Sequence, residues 1–564
     1  MATWGEIKRW QPSPLQNAVG PMNNAYNKVI GCSDDLRDIN TPYGWFGTAA
    51  TAAAQQVNQM IDGLEEYSAE VAAGRRSVGD TGDAITGILH GVHDAEGIAT
   101  AHHFTIADDG AIVDGGPPPG TPEDQKEAVA RERQRIATEL RDRVDQVIRS
   151  ATDVDDDFCA VLDKILSGQT IDATANDNQN TSLAAAGNSG FVLGSLTISA
   201  PPPEGATAAQ NAAYWSTLSE GQRTRLAMDR PELVGNRDGF SAVQRDIANR
   251  TLLDRQRTQL QSQRDALQRQ IDGFPRSGGG QIKLNDQHKF DALKADLEQL
   301  DGKLKGVDAL GGRLNQPPDT PEGQKYYLLG IDSNDDGKAI LAKGNPDTAT
   351  NVATYVPGTT SDLATFGDEA SRGDIMHAAA ERAGSPSTSV ITWLGYDAPD
   401  GLTNAVSESY AENGKDAFAG FEDGLRESHQ GPPSHNTAIG HSYGTTLIGH
   451  AAVDERVSVD DMVFVASPGV GADNPAQLHM SPDHVYSTVA KNDLINITNV
   501  PGVGGALDPL GPDPAAEGFG GRTFQSDPGT SMGGLPTSAA HGEYWNRNNP
   551  SLEGMGLVIS GSAP

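Results

Sequence analysis

The chain has 564 residues, room for about four domains of roughly 150 residues each, and its 65 glycines and 33 prolines are interspersed with apolar residues, which excludes a collagen-like or wholly disordered chain. With 42 Lys and Arg against 76 Asp and Glu, the formal net charge of −34 repels phosphate backbones and excludes nucleic acid as a partner and polybasic docking on anionic lipid, leaving neutral lipid open. The first twenty residues lack a charged-then-apolar leader, no run reaches about 18 apolar residues, and the two cysteines, Cys32 and Cys159, read as small buried hydrophobes rather than a disulfide framework or zinc site.

Residues 1–116 read as a helical domain. Apolar residues at helical spacing (Leu15, Val19 and Met22, then Val57, Met60, Ile61 and Leu64) predict two or three long helices. Pro42-Tyr43-Gly44-Trp45-Phe46-Gly47 would form the turn between antiparallel neighbours, with Trp45 capping their apolar seam. With Trp45-Phe46-Gly47 at its turn, this arrangement resembles the small Trp-x-Gly helical hairpin proteins of actinobacterial type VII secretion. The resemblance implies a helical-hairpin or secretion partner docking through residues 1–116, and signal-peptide-independent export of a chain that is cytoplasmic as synthesised. The Tyr-x-x-x-Asp/Glu tail signal of those proteins is not matched after the second helix, where Tyr67-Ser68-Ala69-Glu70-Val71 misses by one position; another match, Tyr396 to Asp400, falls in a loop of the C-terminal domain. His102 to Gly116 reads as a β-hairpin turning at Asp109-Gly110.

Residues 117–203 begin with the linker Pro117-Pro118-Pro119-Gly120, followed by a helix over 122–167 that opens on Thr121-Pro122-Glu123-Asp124. The Thr/Asn/Ala/Gly-rich stretch 168–203 has little periodicity and reads as a flexible linker. Residues 204–316 are helical again. Leu253, Leu260 and Leu267 recur every seven residues, and Phe290, Leu293, Leu297, Leu300 and Leu304 alternate threes and fours. Across the break Ser277-Gly278-Gly279-Gly280 the two seams would zip into an antiparallel coiled-coil arm, a spacer rather than a partner-binding zipper. Pro231-Glu232-Leu233-Val234-Gly235-Asn236 with Arg245-Asp246-Ile247-Ala248-Asn249-Arg250 resembles a segment ahead of the catalytic domain in a large group of actinobacterial α/β hydrolases of undefined function.

Over residues 317–564 the pattern becomes alternating strands and helices. Strands are predicted at Tyr326 to Ile331, Ala339 to Ala342, Val352 to Val356, Val390 to Leu394, Thr437 to Ile439, Met462 to Val465 and Val485 to Val489. Helices fit at Glu369 to Ala383, Ala405 to Leu425 and Thr445 to Val453. The fold class is thus multidomain: a helical N-terminal half, and a C-terminal α/β domain with a mainly parallel sheet that starts with an antiparallel hairpin. Asp332-Ser333-Asn334-Asp335-Asp336-Gly337 opens like a calcium loop, but its twelfth position is Lys343 rather than Glu, so it reads as a hairpin turn.

The strand Asn436 to Ile439 runs into Gly440-His441-Ser442-Tyr443-Gly444 and then a helix. A nucleophile on so tight a turn needs neighbours without side chains two residues either side, which Gly440 and Gly444 provide. The helix N-terminus favours a developing oxyanion, and Tyr443 would give one oxyanion N–H. A serine nucleophile needs a base, and the base a carboxylate. In the order Ser, acid, His, Asp493 just past a strand is the preferred acid, Asp473 its competitor, and Asp508, Asp513 and Asp527 have weaker claims. The single histidine downstream of Asp493, His541, is the base. The second oxyanion N–H would come from Thr359 or Gly358 after the strand ending at Val356. No two histidines stand in an H-x-x-x-H pair, and neither a metal nor a cofactor is expected.

Tyr355-Val356-Pro357-Gly358-Thr359, Trp393-Leu394-Gly395-Tyr396-Asp397, Gly440-His441-Ser442-Tyr443-Gly444 and Ser467-Pro468-Gly469-Val470-Gly471 are together similar to the same actinobacterial hydrolase group, over about residues 325–550. The resemblance implies an α/β-hydrolase fold and a serine triad of Ser442, Asp493 and His541. The expected activity is hydrolysis of a lipid or other acyl ester, with amidase, thioesterase and acyltransferase chemistry open. The rival expectation is a secretion-linked binding or effector protein whose helical half docks partners and whose hydrolase domain is secondary or inactive.

Overall fold

The computed structural model describes residues 2–39, 44–171, 182–276, 280–498 and 510–564. They form two compact units: residues 1–206 with 213–225, and residues 207–212 with 226–564. Residues 117–203 fall with 1–116 in the first unit, and most of 204–316 falls with the C-terminal α/β domain in the second.

The first unit opens with α1 (Trp4–Ile7), closed by a capping box between Thr3 and Glu6. Then come α2 (Ser13–Ile39) and α3 (Thr48–Ala101), which pack on each other. A β-hairpin, β1 (Phe104–Ile106) and β2 (Ile112–Asp114), turns at Gly110 (φ 88°) and leads to α4 (Lys126–Leu166). Trp4, Ile7, Ile88, Val92, Val144 and Val147 form its core.

Three expectations are corrected here. Trp45 does not cap the seam: it is 49% exposed and Phe46 88% exposed, while Pro42 and Tyr43 lie outside the described residues. The stretch 168–203 is not simply a linker, since it contains α5 (Leu183–Leu193), packed against α3. Glycines permit that contact: a Cβ at Gly190 would fall 2.0 Å from the Ala69 carbonyl oxygen, and one at Gly194 2.2 Å from that of Ala73. Finally, Cys32 and Cys159 are exposed, each on the solvent side of its long helix.

Next come α6 (Ala208–Ser216), α7 (Glu220–Asp229), α8 (Ala242–Asp272) and α9 (Gln287–Leu314). The last two pack on one another, and the break at Ser277-Gly278-Gly279 lies outside the described residues. They do not stand off as a spacer. Leu253 and Leu260 of α8 and Val307, Leu310 and Leu314 of α9 join the core that contains Leu328 and Leu363.

The α/β domain follows with β3 (Tyr326–Asp332), β4 (Lys338–Lys343), β5 (Asn351–Val356), α10 (Phe366–Arg382), β6 (Thr388–Leu394) and α11 (Ser409–Ser428). It continues with β7 (His435–His441), α12 (Tyr443–Glu455), β8 (Asp461–Val465), β9 (Val485–Thr488), α13 (Ile495–Thr498), β10 (Arg522–Thr523) and α14 (Pro550–Ile559). The sheet order is β10-β9-β8-β7-β5-β6-β4-β3. Pairings are antiparallel at β3/β4 and β4/β6 and parallel elsewhere, so the hairpin forms one edge. Strands β5 and β6 are buried along their whole length, as a sheet covered on both faces requires. The Asp332 to Gly337 segment is the β3/β4 turn, with the Gly337 N–H donating to the Asn334 carbonyl at 2.8 Å.

The open edge of β3 is closed by side chains. Asp246 accepts the Leu328 N–H (2.8 Å), Asn249 donates to the Leu328 carbonyl (3.0 Å), and Arg245 Nη2 donates to that of Leu329 (2.6 Å). Asn236 accepts the Ile331 N–H (3.1 Å) and donates to its carbonyl (3.2 Å). The polar segment ahead of the domain therefore does the work of a missing neighbour strand and shields the edge from pairing with another chain.

One buried acid adds a pH dependence. Glu422 of α11 is 1% exposed with Oε1 unpartnered, and burial pushes its carboxyl up to about 7; Asp423 and Asp238 add to the rise, against Thr354 and Arg426. The folded chain then holds this proton up to about pH 7, whereas an unfolded chain releases it near 4.5. Its contribution to stability is therefore full below pH 4.5 and lost as pH rises to 7. Glu422→Gln is expected to stabilise by about 1–3 kcal/mol at pH 8 and to do nothing at pH 4.5, read from thermal melts at both; equal shifts would contradict this origin.

Candidate active site

Strand β7 ends at the centre of the sheet, and Ser442 lies between it and α12 with φ 52° and ψ −127°, a backbone conformation that costs a non-glycine residue of order 1–3 kcal/mol. The elbow is fixed on both sides. The Ser442 N–H donates to the Val465 carbonyl of β8 at 2.9 Å, and its carbonyl accepts from the Thr445 N–H (3.0 Å) and Thr445 Oγ1 (2.7 Å). A Cβ at Gly440 would lie 2.7 Å from Thr445 N, and one at Gly444 2.2 Å from the Val356 carbonyl oxygen, so both positions exclude side chains as the motif requires.

The loop after β5 reaches this elbow. A Cβ on Gly358 would lie 2.8 Å from Ser442 Cβ and 2.9 Å from Tyr443 N. The loop is held by Tyr396 Oη, which donates to the Pro357 carbonyl (2.8 Å), and by the Thr360 N–H, which donates to that of Pro399 (2.7 Å). Among the described residues, the N–H groups of Gly358, Thr359 and Tyr443 donate to no protein acceptor. The Gly358 and Tyr443 main chain thus lies against Ser442, which is itself buried.

Asp493 is completely buried beyond β9. His541 Nδ1 lies 2.9 Å from each of its carboxylate oxygens, Tyr544 Oη donates to Oδ2 at 2.6 Å, and the Ile495 N–H donates to Oδ1 at 2.9 Å. A parallel bridge joins Asp493 to Thr537, so the acid's loop and the segment carrying His541 are fastened together. Burial, then the neighbouring Asp493 carboxylate, pushes the Tyr544 hydroxyl well above its ordinary range, which keeps it a donor. Asp473 sits exposed on its loop with its N–H donating to Gln477, and the acid in contact with His541 is Asp493; Asp508 lies outside the described residues. Among the described residues no hydrogen bond joins Ser442 Oγ to His541.

Behind His541 lies a second set of groups. The His441 ring, 6% exposed, stands between the rings of His541 (4.8 Å) and Trp545 (4.9 Å). Arg372 lies over Trp545 at 4.5 Å and binds Glu369 (3.0 and 3.1 Å) and Tyr355 Oη (3.2 Å). Burial, then the facing His541 and Arg372, holds His441 well below the usual imidazole range, so it is neutral. The sequence does not single out Tyr544; its adjacency, with Trp545, to His541 is the available signal. Among the described residues no cluster of His, Cys, Asp or Glu is arranged to hold a metal ion, and no helix is long and apolar enough to cross a membrane.

Residues 332–504 match a family described as alpha/beta hydrolase. The chain is 28% identical over 467 residues to the uncharacterized protein Rv2079 of Mycobacterium tuberculosis, covering 76% of this chain and 68% of that one. It is 32% identical over 204 residues to the uncharacterized protein Mb0988c of Mycobacterium bovis, covering 34% of this chain and 74% of that one. Similar solved structures include an arylesterase (12% identity, 46% of this chain and 91% of that one, TM-score 0.27). Another is an S-formylglutathione hydrolase from Staphylococcus aureus (11% identity, 43% and 98%, TM-score 0.25).

Proposed function

The chain belongs to the α/β-hydrolase family of these mycobacterial relatives, and from that premise we propose that it is a serine hydrolase cleaving an acyl ester through an acyl-enzyme. His541 Nε2 takes the Ser442 Oγ proton as Oγ attacks the ester carbonyl. Asp493 holds the Nδ1–H tautomer and balances the imidazolium that forms. The N–H of Tyr443 and that of Thr359, with Gly358 beside it, stabilise the oxyanion. His541 returns the proton to the leaving alcohol, and water, activated by the same imidazole, releases the acid. The observation that supports this reading is the buried Asp493 with both oxygens 2.9 Å from His541 Nδ1, on the segment that packs against the residue preceding Ser442.

The acyl group is apolar in this reading. Leu402 (74% exposed) and Val406 (61%) lie on the loop after β6, which is tied to the elbow by Tyr443 Oη donating to the Ser407 carbonyl. Met532 (75%) and Leu535 (66%) flank Gly533-Gly534 at the tip of a turn whose base pairs with Asp493 through Thr537. An acyl chain lying against them would remove about 25 cal/mol of unfavourable exposure per Å² covered. On p-nitrophenyl esters, kcat/KM is expected to rise from acetate to medium-chain acyl groups. The double variant Met532→Ser/Leu535→Ser should lose about tenfold more on the longer esters than on acetate. A flat chain-length profile, or equal losses, would contradict an apolar acyl site.

A further inference from the structure

We infer that His441 is a positioning residue for the base: its Nε2–H donates to the main-chain carbonyl of His541 at 2.9 Å and ties the residue preceding the nucleophile to the segment that carries the imidazole. The inference rests on the reading of Ser442 and His541 as nucleophile and base, and adds a group that neither the motif nor the triad assigns.

A carbonyl oxygen only accepts, so the His441 proton must reside on Nε2, which fixes the tautomer. The residues Ala540–Trp545 that carry His541 form a short 3₁₀ stretch with no side-chain cap. Such a stretch has few internal hydrogen bonds and takes its position from what surrounds it. Asp493 and Tyr544 hold it from one side. On the other side are His441 and the Trp545 ring that packs edge-on against it, the latter backed by Arg372 and by Tyr355 at 5.6 Å. The backing is charge-balanced, since Glu369 accepts from both Arg372 and Tyr355. A neutral His441 also means that the imidazolium formed at His541 meets no second imidazolium 4.8 Å away. Because His441 and Ser442 are consecutive, this hydrogen bond links the chain at the nucleophile directly to the segment of the base, alongside the ties through Asp493 and Tyr544. A misplacement of about 1 Å in such a pair costs about 100-fold in rate.

The test compares the full chain with His441→Leu, His441→Asn and His441→Gln. Gln can present its amide N–H near the place of Nε2; Asn is polar but too short, and Leu fills space without donating. Leu and Asn are expected to lower kcat by roughly 30- to 100-fold with KM unchanged, and Gln to stay within about threefold of wild type. In chain labelled with 15N at histidine, the low-field proton of the His541 Nδ1–H bonded to Asp493 should persist in wild type and Gln and broaden in Leu and Asn. Equal losses in all three variants, or full activity and a sharp resonance in Leu and Asn, would overturn the inference. Wild type that fails to turn over any ester while its resonance still responds to His441→Asn would instead overturn the reading of Ser442 as nucleophile and leave the positioning contact standing.

Discussion

Replacing Asp493 by Asn is expected to lower kcat/KM by about 10³- to 10⁴-fold while leaving the chain folded. The carboxylate accepts from His541 Nδ1, Tyr544 Oη and the Ile495 N–H, and it has no solvent exposure. An Asn of the same shape has one acceptor oxygen and one donating NH₂. With the NH₂ toward His541, Nδ1 must accept, the ring proton moves to Nε2, and the base cannot take the Ser442 proton. With the NH₂ toward Tyr544, it meets a hydroxyl that already accepts the Ala490 N–H at 2.8 Å, and Tyr544 loses its acceptor. Either orientation disables the imidazole or loosens the segment that carries it. Ester kinetics with circular dichroism as the folding control check this; a loss below tenfold would remove Asp493 from the mechanism.

The second large effect is expected at Gly358. An added methyl would lie 2.7 Å from the His441 carbonyl oxygen, 2.8 Å from Ser442 Cβ and 2.9 Å from Tyr443 N, all closer than real Cβ contacts. Gly358 does not lie in the left-handed region that favours glycine, so the effect is steric. Main-chain atoms cannot rotate away as a flexible side chain would, so the loop must retreat from the elbow, taking the Thr359 N–H with it while the methyl crowds that of Tyr443. Losing one oxyanion donor costs about 10²- to 10³-fold in kcat, and Gly358→Ala is expected in that range or beyond, with KM little changed. Measured kcat within threefold of wild type would mean that this loop does not serve the oxyanion. The same substitution at Gly401, where nothing lies within 4 Å of the added Cβ, is the control and should be silent.

Much of the α/β domain was legible because its strands are short β-branched runs between turn residues, and a sheet covered on both faces demands such runs. The β7 turn into α12 announced itself through Gly440 and Gly444, whose missing side chains are a steric requirement visible in one dimension. What escaped depends on partners far away in sequence. Helix α5 looks like a linker because its glycines and alanines signal flexibility until the Ala69 and Ala73 carbonyls are seen against them. Strand β10 has two residues and exists only by pairing with β9. Trp45 was assigned to a seam that the described helices close without it. At the site, composition could not rank Asp493 above Asp473 by more than position; burial and the bonds from His541 and Tyr544 separate them. His441 was visible as a residue but not as a donor to His541, since that bond spans 100 positions.

The central claim is that Ser442 is an activated nucleophile, and a fluorophosphonate probe tests it most directly because it reacts with such serines whatever their natural ester. Full-length wild type is expected to label rapidly, with the adduct mapping to Ser442 by peptide mass spectrometry, and both Ser442→Ala and His541→Ala should fail to label while remaining folded. Folded wild type that stays unlabelled, or labelling that survives Ser442→Ala, would contradict the account.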